Sequence, residues 1–324
     1  MKRETLKFFK FQQSFKLLDT FETKEYRILM EELKTTIYEG GLIVLSGIVG
    51  TGKTTTLQKL EFELTQDGNI IVSQTWAIDK DKVNLGTLME ALHCDLATEK
   101  EGKLPVNAEK RARKISDLIR KRRKPVVLLV DDAHSLQNKT LVGLKRLIEL
   151  VERGNAILSI VLAGHPKLKN DLQHPNLEEI GARMTGVFTL EGLNKNQKQY
   201  IEWLLTESTE DDVKLDDIIT EEAIELLANK LMTPLQIKYY LTLAFEKSHQ
   251  VGQKVVTQEL VQTVLARSLD DLEPQLNRKG YNTKVLADLL DLKPKIIRSF
   301  LEGQLPAAET QDLRERMLKV GIPL

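Results

Sequence analysis

The residues best suited to chemistry form a loop rich in glycine and hydroxyl groups. Residues 47–54 read Gly-Ile-Val-Gly-Thr-Gly-Lys-Thr, which has the spacing G-x-x-x-x-G-K-[ST]. Such glycines let backbone N–H groups face phosphate oxygens, and a following helix adds its positive end. The lysine then reaches the β- and γ-phosphates, and the last threonine lies on Mg²⁺. The alternative is a chance glycine-rich turn. The residues predicted to contact a nucleoside triphosphate are Gly47, Val49, Gly50, Thr51, Gly52, Lys53, Thr54 and Thr55.

Both flanks of the loop predict the strand and the helix that a phosphate-binding loop requires. Residues 42–46 are a short apolar run that suits a buried parallel strand. After the loop, apolar residues fall among polar ones, as in a helix with one buried face. They are Leu57, Leu60, Phe62 and Leu64.

Two acidic residues after a second buried strand are candidates for the same site. Residues 126–130 are consecutive apolar residues, and Asp131 and Asp132 follow them directly. We expect this central strand to point its tip at the nucleotide. Asp131 would then hold the Mg²⁺ shell, and Asp132 would polarise the attacking water. An apolar run that ends in Asp is common by itself, so the assignment depends on the loop before it.

The elements that must position these residues predict an α/β fold. Strands alternating with helices over residues 41–192 indicate an αβα sandwich with a parallel sheet. From 193 to 270 only helices are expected, and residues 271–324 form a small C-terminal unit. Residues 1–40 are an N-terminal segment and helix, with clustered aromatic residues that we expect to pack on the nucleotide-binding core. They are Phe8, Phe9, Phe11 and Phe15.

The composition limits the classes of partner. Lys+Arg and Asp+Glu are both 47, so the net charge predicts no partner and a nucleic-acid surface must be local. A single cysteine, Cys94, gives no disulfide framework and suits a reducing compartment. No apolar run approaches the roughly 20 residues that span a bilayer. The N-terminus lacks the apolar core of a secretion signal. We therefore expect a cytoplasmic protein without a membrane partner.

Two basic elements are candidates for binding DNA. The first is a predicted helix over 108–123 with its preceding loop, where Lys103, Arg111 and Lys114 would each meet a backbone phosphate. The alternative is an ordinary solvated helix face. The second is residues 283–303, which match a helix-turn-helix although Asp291 replaces the usual turn glycine. Its alternative is a small bundle that packs or binds protein. The basic residues predicted on its second helix are Lys293, Lys295 and Arg298.

The motifs together resemble the AAA+ ATPases. The runs G-x-V-G-T-G-K-T, V-D-D-A-H, A-G-H-P-x-L and T-P-L-Q-I look like the ExeA-type branch, which includes transposition regulators of the MuB, TniB and TnsC kind. The resemblance covers residues of about 15–270. It implies ATP and Mg²⁺ as cofactors and a helical lid after the sandwich. It also implies that Lys53 and Thr54 bind phosphates and Mg²⁺, and that Asp131 is the metal acid.

The resemblance also implies roles or departures at three residues and one segment. His165 occupies the sensor position after the fourth strand, or it is a satisfied strand-end histidine. Arg183 is where an arginine finger for a neighbouring subunit would lie. Asp132 replaces the family's catalytic glutamate, and 233–236 replace the segment with the lid arginine. Both departures predict slow hydrolysis and a persistent ATP-bound state.

Three functions remain open. The first is an ATPase that assembles on duplex DNA as a ring or helical filament and regulates transposition. Its partners would be duplex DNA, a DDE-type transposase and further copies of itself, and hydrolysis would disassemble it. The second is a secretion-apparatus ATPase of the ExeA type, although the length leaves no room for the expected membrane helix and cell-wall-binding domain. The third is an ATP-gated, sequence-specific DNA-binding regulator.

Overall fold

The computed structural model describes residues 1–75, 83–172, 177–181, 183–265, 272–278 and 280–319. Its centre is a five-stranded parallel sheet in the order β2-β3-β4-β1-β5. The strands are β1 (Gly41–Gly47), β2 (Ile71–Gln74), β3 (Val126–Val130), β4 (Leu158–Gly164) and β5 (Met184–Leu190). The predicted parallel α/β fold is confirmed. β4 is the middle strand, and β3 lies between β2 and β4.

Alternation along the strands explains the three layers, because successive side chains of a strand point to opposite faces. Leu42 and Val44 of β1 join a core with α4 (Leu85–Leu96), α5 (Ala108–Arg122) and α6 (Asn138–Arg153). The intervening Ile43 and Leu45 join a second core with α2 (Lys24–Glu39) and α3 (Lys53–Asp67). α7 (Pro166–Leu172) and α8 (Glu178–Gly181) connect β4 towards β5. On α3, Leu57, Leu60 and Leu64 are buried as predicted, whereas Phe62 is exposed.

A separate core holds the helical lid together. It contains α9 (Gln197–Ser208), α10 (Glu221–Lys230), α11 (Pro234–Gln250) and α12 (Gln258–Leu265). α11 begins with a capping box, in which the side chains of Thr233 and Gln236 each accept from the backbone N–H of the other. A proline in the first turn has no N–H that would need a partner. In the part of the chain that the structure describes, no helix has the length and apolarity needed to cross a membrane.

The N-terminal aromatic residues belong to this lid core, which corrects the prediction that they pack on the nucleotide-binding sandwich. Phe8 is the last residue of α1 (Arg3–Phe8), and the other three follow this helix. Phe9 and Phe11 meet Phe245 of α11 edge-on, with ring centroids 4.8 and 4.9 Å apart. Phe15 is fully buried beside them. Helix α2, in contrast, packs on the sheet. The two halves of the predicted N-terminal segment therefore contribute to different cores.

The C-terminal helices form a fourth core. α13 (Leu272–Arg278), α14 (Thr283–Leu290), α15 (Pro294–Leu301) and α16 (Ala307–Lys319) enclose Tyr281, Ala287, Ile297 and Phe300. α14 and α15 are the helices of the predicted helix-turn-helix. Asp291 between them has φ of 51°, the left-handed conformation for which a glycine was expected. Aspartate adopts this region more readily than most residues, which explains how the turn forms without glycine. Residues 270 and 271, at the predicted boundary between the helical lid and the C-terminal unit, lie outside the described residues.

Candidate nucleotide-binding site

The phosphate loop lies between the carboxyl end of β1 and the start of α3. Gly50 and Gly52 have φ of 85° and 98°, which side chains rarely adopt. A Cβ on Gly50 would also lie 2.6 Å from Leu235 Cβ and 2.8 Å from Thr233 Oγ1 at the start of α11. The Leu235 N–H donates to the Gly50 carbonyl at 3.3 Å. The phosphate loop is therefore in direct contact with the start of α11.

The buried side chain of Lys53 is held inside the loop. Its Nζ donates to the carbonyls of Gly47 at 2.8 Å and Ile48 at 3.0 Å. Burial lowers the pKa of Lys53 below its usual value, and the neighbouring Asp131 and Asp132 oppose that shift. A desolvated ammonium surrounded by carbonyl oxygens has the position and charge to exchange these acceptors for phosphate oxygens.

Thr54 and Asp131 meet across the sheet edge. Thr54 Oγ1 donates to Asp131 Oδ2 at 2.6 Å, although the two residues come from different elements. A hydroxyl and a carboxylate are hard oxygen donors, which is the chemistry that Mg²⁺ prefers. The pair therefore fits a magnesium ion bridging to phosphates.

Asp132 begins the turn after β3 in a left-handed conformation, with φ of 50°. Its N–H donates to Asp131 Oδ1 at 2.9 Å, and its carbonyl accepts from Ser135 N–H at 3.1 Å. This turn fixes the backbone of both acids. Asp132 lines the same cavity as Lys53 and Thr54.

Two histidines also line that cavity. His165 follows β4, and His134 lies in the turn after β3, with ring centroids 4.1 Å apart. Nδ1 of each ring is buried, and no residue in the described ranges is its hydrogen-bond partner. Burial lowers the pKa of both, for His165 to about 4, with the neighbouring His134 adding to the shift. Both imidazoles are therefore neutral at pH 7. His134 carried no signal in the sequence beyond its place next to the acids.

Arg183 is far from this cavity in its own subunit. It precedes β5, whose other end, Leu190, pairs with Gly47 of the phosphate loop. At about 3.3 Å per residue, the strand puts Arg183 on the order of 20 Å from the loop. It is exposed, with Nη2 3.6 Å from Glu149 Oε1. Arg183 therefore does not reach its own phosphate loop.

A second cavity opens on the other side of the loop. It has a volume of about 570 Å³ and includes the apolar and aromatic residues Leu18, Phe21, Tyr26 and Tyr200. The cavity with the acids has a volume of about 1050 Å³. Lys16 from the N-terminal segment and Lys238 from α11 line both cavities. Sequence reasoning missed these lysines, because no motif contains them and only the fold brings their segments together.

The basic residues predicted to bind DNA differ in their availability. Lys114 Nζ donates to the carbonyls of Glu101, Gly102 and Lys103, at 2.6, 3.4 and 2.8 Å. An ammonium has three donors, so this side chain is fully used in holding its own loop. Arg111 likewise donates to the Pro105 carbonyl at 3.1 Å. The expectation that these two side chains project to a phosphate backbone therefore does not fit the structure.

Other basic side chains remain exposed. Lys103 is exposed, as are Lys110 and Arg113, which the prediction did not select. Lys293, Lys295 and Arg298 are all exposed on or beside α15, as expected for the second helix of a helix-turn-helix.

The comparisons with known proteins agree with this geometry. A family model described as an AAA domain matches residues 36–172. This stretch is therefore similar to an AAA domain. ATP and Mg²⁺ are its cofactors, and the loop, Lys53 and the Thr54–Asp131 pair fit both.

One curated relative is similar in sequence to about half of this chain. General secretion pathway protein A of Aeromonas hydrophila is 31% identical over 158 residues. The alignment covers 47% of this chain and 27% of that protein, so the similarity concerns about a quarter of the relative.

Solved structures extend the fold similarity over the whole chain. Cdc6p from Pyrobaculum aerophilum superposes with a TM-score of 0.56 and 17% identity, covering 97% of this chain and 84% of that one. Drosophila ORC bound to DNA gives 0.53 and 17%, covering 100% and 80%. At these identities the likeness shows the fold alone.

Proposed function

We propose that this chain is an ATPase that assembles on duplex DNA in its ATP-bound form and regulates transposition. The observation that carries the ATPase part is the 2.6 Å hydrogen bond between Thr54 and Asp131, since Thr54 lines one cavity together with Asp132 and Lys53. Lys53 and the loop N–H groups bind the phosphates. Mg²⁺ supplies charge neutralisation on the β- and γ-phosphates. Asp132 orients the attacking water and accepts its proton.

Hydrolysis is slow in this proposal. Asp132 is one methylene shorter than the glutamate expected at its position, so its carboxylate reaches less far into the cavity. Residues 233–236 carry no counterpart of the family's lid arginine. The ATP-bound state therefore persists and serves as a timer, and hydrolysis releases the assembly.

Assembly needs a second subunit at each site. Arg183 has no access to its own phosphate loop, so in an assembly it serves the neighbouring γ-phosphate as an arginine finger. The exposed Arg153 at the end of α6 is the next candidate. A repeating arrangement of this kind gives a closed ring or a helical filament.

The DNA-contacting surface in this proposal is the start of α5 with its preceding loop. Lys103, Lys110 and Arg113 are exposed, and no ion pair joins them to any residue that the structure describes. Lys110 and Arg113 are neighbours on one face of the helix because they are three residues apart. Repeated once per subunit, these charges would follow the phosphate backbone without reading bases.

The transposition part rests on the motifs shared with the MuB, TniB and TnsC kind. In this role a DDE-type transposase is the protein partner. The relative from the secretion pathway supports the shared ATPase unit, and its alignment leaves most of that relative unmatched.

A second function, the ATP-gated DNA-binding regulator, is favoured by one contact. Gly280, before α14, lies against His165 so closely that a Cβ would be 2.9 Å from His165 Cβ. The glycine has φ of 85°. Val285, Asp288 and Leu289 of α14 also share a cleft with the sandwich. A change at His165 on binding ATP would therefore act directly on the helix-turn-helix.

One binding experiment separates the two functions. Anisotropy of a labelled random-sequence duplex is measured with a slowly hydrolysed ATP analogue, with ADP and without nucleotide. Replacing Lys103, Lys110 and Arg113 by Gln should abolish binding and flatten the salt slope by roughly one unit for each phosphate that is no longer neutralised. Replacing Lys293, Lys295 and Arg298 by Gln should leave it largely intact. The reverse pattern favours the regulator, and no ATP-dependent binding by the parent protein refutes assembly on DNA without sequence preference.

A further inference from the structure

Two cavities meet at the phosphate loop, and their linings differ in chemistry. One contains Lys53, Thr54 and Asp132, which suits a triphosphate. The other contains Phe21, Tyr26 and Tyr200, which suits a flat, largely apolar group such as a base. A nucleotide that fills both has its α-phosphate where they join. The residues shared by the two linings are Lys16, Gly52, Thr55, Pro234 and Lys238.

Lys238 is the half-buried cation at this junction. No hydrogen bond or ion pair joins its ammonium to any residue within the described ranges, and the Thr242 hydroxyl bonds only to its backbone carbonyl. Burial lowers the pKa of Lys238 below its usual value. Lys114, in contrast, satisfies its three donors on carbonyls. Placing an ammonium in a partly desolvated cavity without an anion is unfavourable, which is the arrangement expected where a ligand supplies the anion.

Lys16 approaches the same junction from the N-terminal segment. Its neighbour Phe15 is fully buried in the lid core and lies 6.1 Å from the Phe245 ring of α11. Lys16 itself is exposed and makes no ion pair with the residues that the structure describes. Lys16 and Lys238 are therefore attached to one rigid aromatic core, although they are distant in sequence.

We propose that Lys238 and Lys16 bind the α-phosphate side of the nucleotide, and so draw the lid core onto the phosphate loop when nucleotide binds. This rests on the nucleotide site proposed above. Lys53 holds the outer phosphates from inside the loop, whereas these two lysines hold the inner phosphate from the lid and the N-terminal segment. Both lysines bind ADP as well as ATP. Because they belong to the lid core, a bound nucleotide holds the lid against the phosphate loop. The γ-phosphate interacts only weakly with these two lysines.

Competition against a fluorescent ATP analogue tests this assignment with ATP, ADP, AMP and adenosine. Lys238→Met should weaken ATP, ADP and AMP by about tenfold each, the loss expected for one charged contact, and leave adenosine unchanged. Lys238→Arg should restore affinity to within about threefold, since the charge is kept. Lys16→Met should weaken the same three ligands by about threefold, because an exposed charge is screened by solvent and salt.

The matched control is Lys247→Met, which removes an exposed lysine from the same helix. It should bind all four ligands like the parent protein. Unchanged binding by Lys238→Met, or a loss confined to ATP, overturns the proposal. An equal loss for adenosine also overturns it, because that result indicates packing of the base. If Lys53→Ala retains full ATP affinity, the nucleotide site itself is wrong; if Lys53→Ala loses it and Lys238→Met does not, only this inference fails.

Discussion

Asp132 provides the sharpest test of the proposed hydrolysis chemistry, because its geometry permits a nearly isosteric change. Asp132→Asn keeps the size of the side chain, and Asn tolerates the left-handed conformation observed at φ of 50°. The turn and the hydrogen bond from its N–H to Asp131 should therefore persist. The amide cannot accept a proton from water. A general base typically contributes about 10²–10⁴-fold to rate, so we expect hydrolysis to fall by at least about 100-fold.

The assay is phosphate release under saturating ATP and Mg²⁺, with affinity measured separately by analogue titration. Affinity should stay within about twofold of the parent, because Lys53 and the loop are unaltered. Asp132→Glu is the informative companion. It extends the carboxylate by about 1.5 Å and should raise the rate, while the left-handed conformation costs it about 1 kcal/mol of stability. If Asp132→Asn hydrolyses ATP like the parent protein, another residue positions the water and the reasoning fails.

Three other predictions follow from the packing and the charges. Phe15→Ala should lower the unfolding free energy by about 3–5 kcal/mol in denaturant titrations, whereas Leu17→Ala, at a position 73% exposed, should change it little. Arg183→Ala should lose the large particles seen by light scattering with an ATP analogue and DNA while retaining ATP binding; retained assembly would exclude it as the finger. His165 has a folded pKa of about 4, below its unfolded value of about 6.5, so unfolding takes up a proton and stability should decline as the pH falls from 6.5 to 4. His165→Gln should weaken that decline, and an NMR titration midpoint of its imidazole near 6.5 would contradict the burial argument.

Local motifs predicted the parts of the site that lie within one stretch of chain. The structure confirms that residues 47–54 connect a strand to a helix. This connection could be predicted because the conformation of such a turn depends on residues that are adjacent in sequence. The tip of β3 is likewise where the apolar run placed it. The parallel sheet followed from alternating elements, but its order did not, since strand order depends on crossovers that the strands themselves do not encode.

Predictions about distant partners were the ones that failed. The aromatic residues of the N-terminal segment were apolar enough to require a core, but nothing in their spacing distinguished the lid from the sandwich. Lys114 was basic in a basic helix, and its long side chain folds back to three carbonyls of the preceding loop. The basic residues of the sequence therefore predicted a positively charged surface. The position of the Lys114 ammonium depends instead on the carbonyl groups that lie within its reach in the folded chain.

Residues 47–54 are proposed to hold the phosphates of ATP through Lys53, and one titration tests this assignment directly. A fluorescent ATP analogue is titrated into the parent protein and Lys53→Ala, with Lys59→Ala, from the same helix, as the control. Lys53→Ala should lose affinity by tenfold or more, because it removes a buried ammonium that lies 2.8 Å from the Gly47 carbonyl at the base of the loop. The control should bind like the parent. Equal affinity of Lys53→Ala and the parent protein would contradict the assignment of the site.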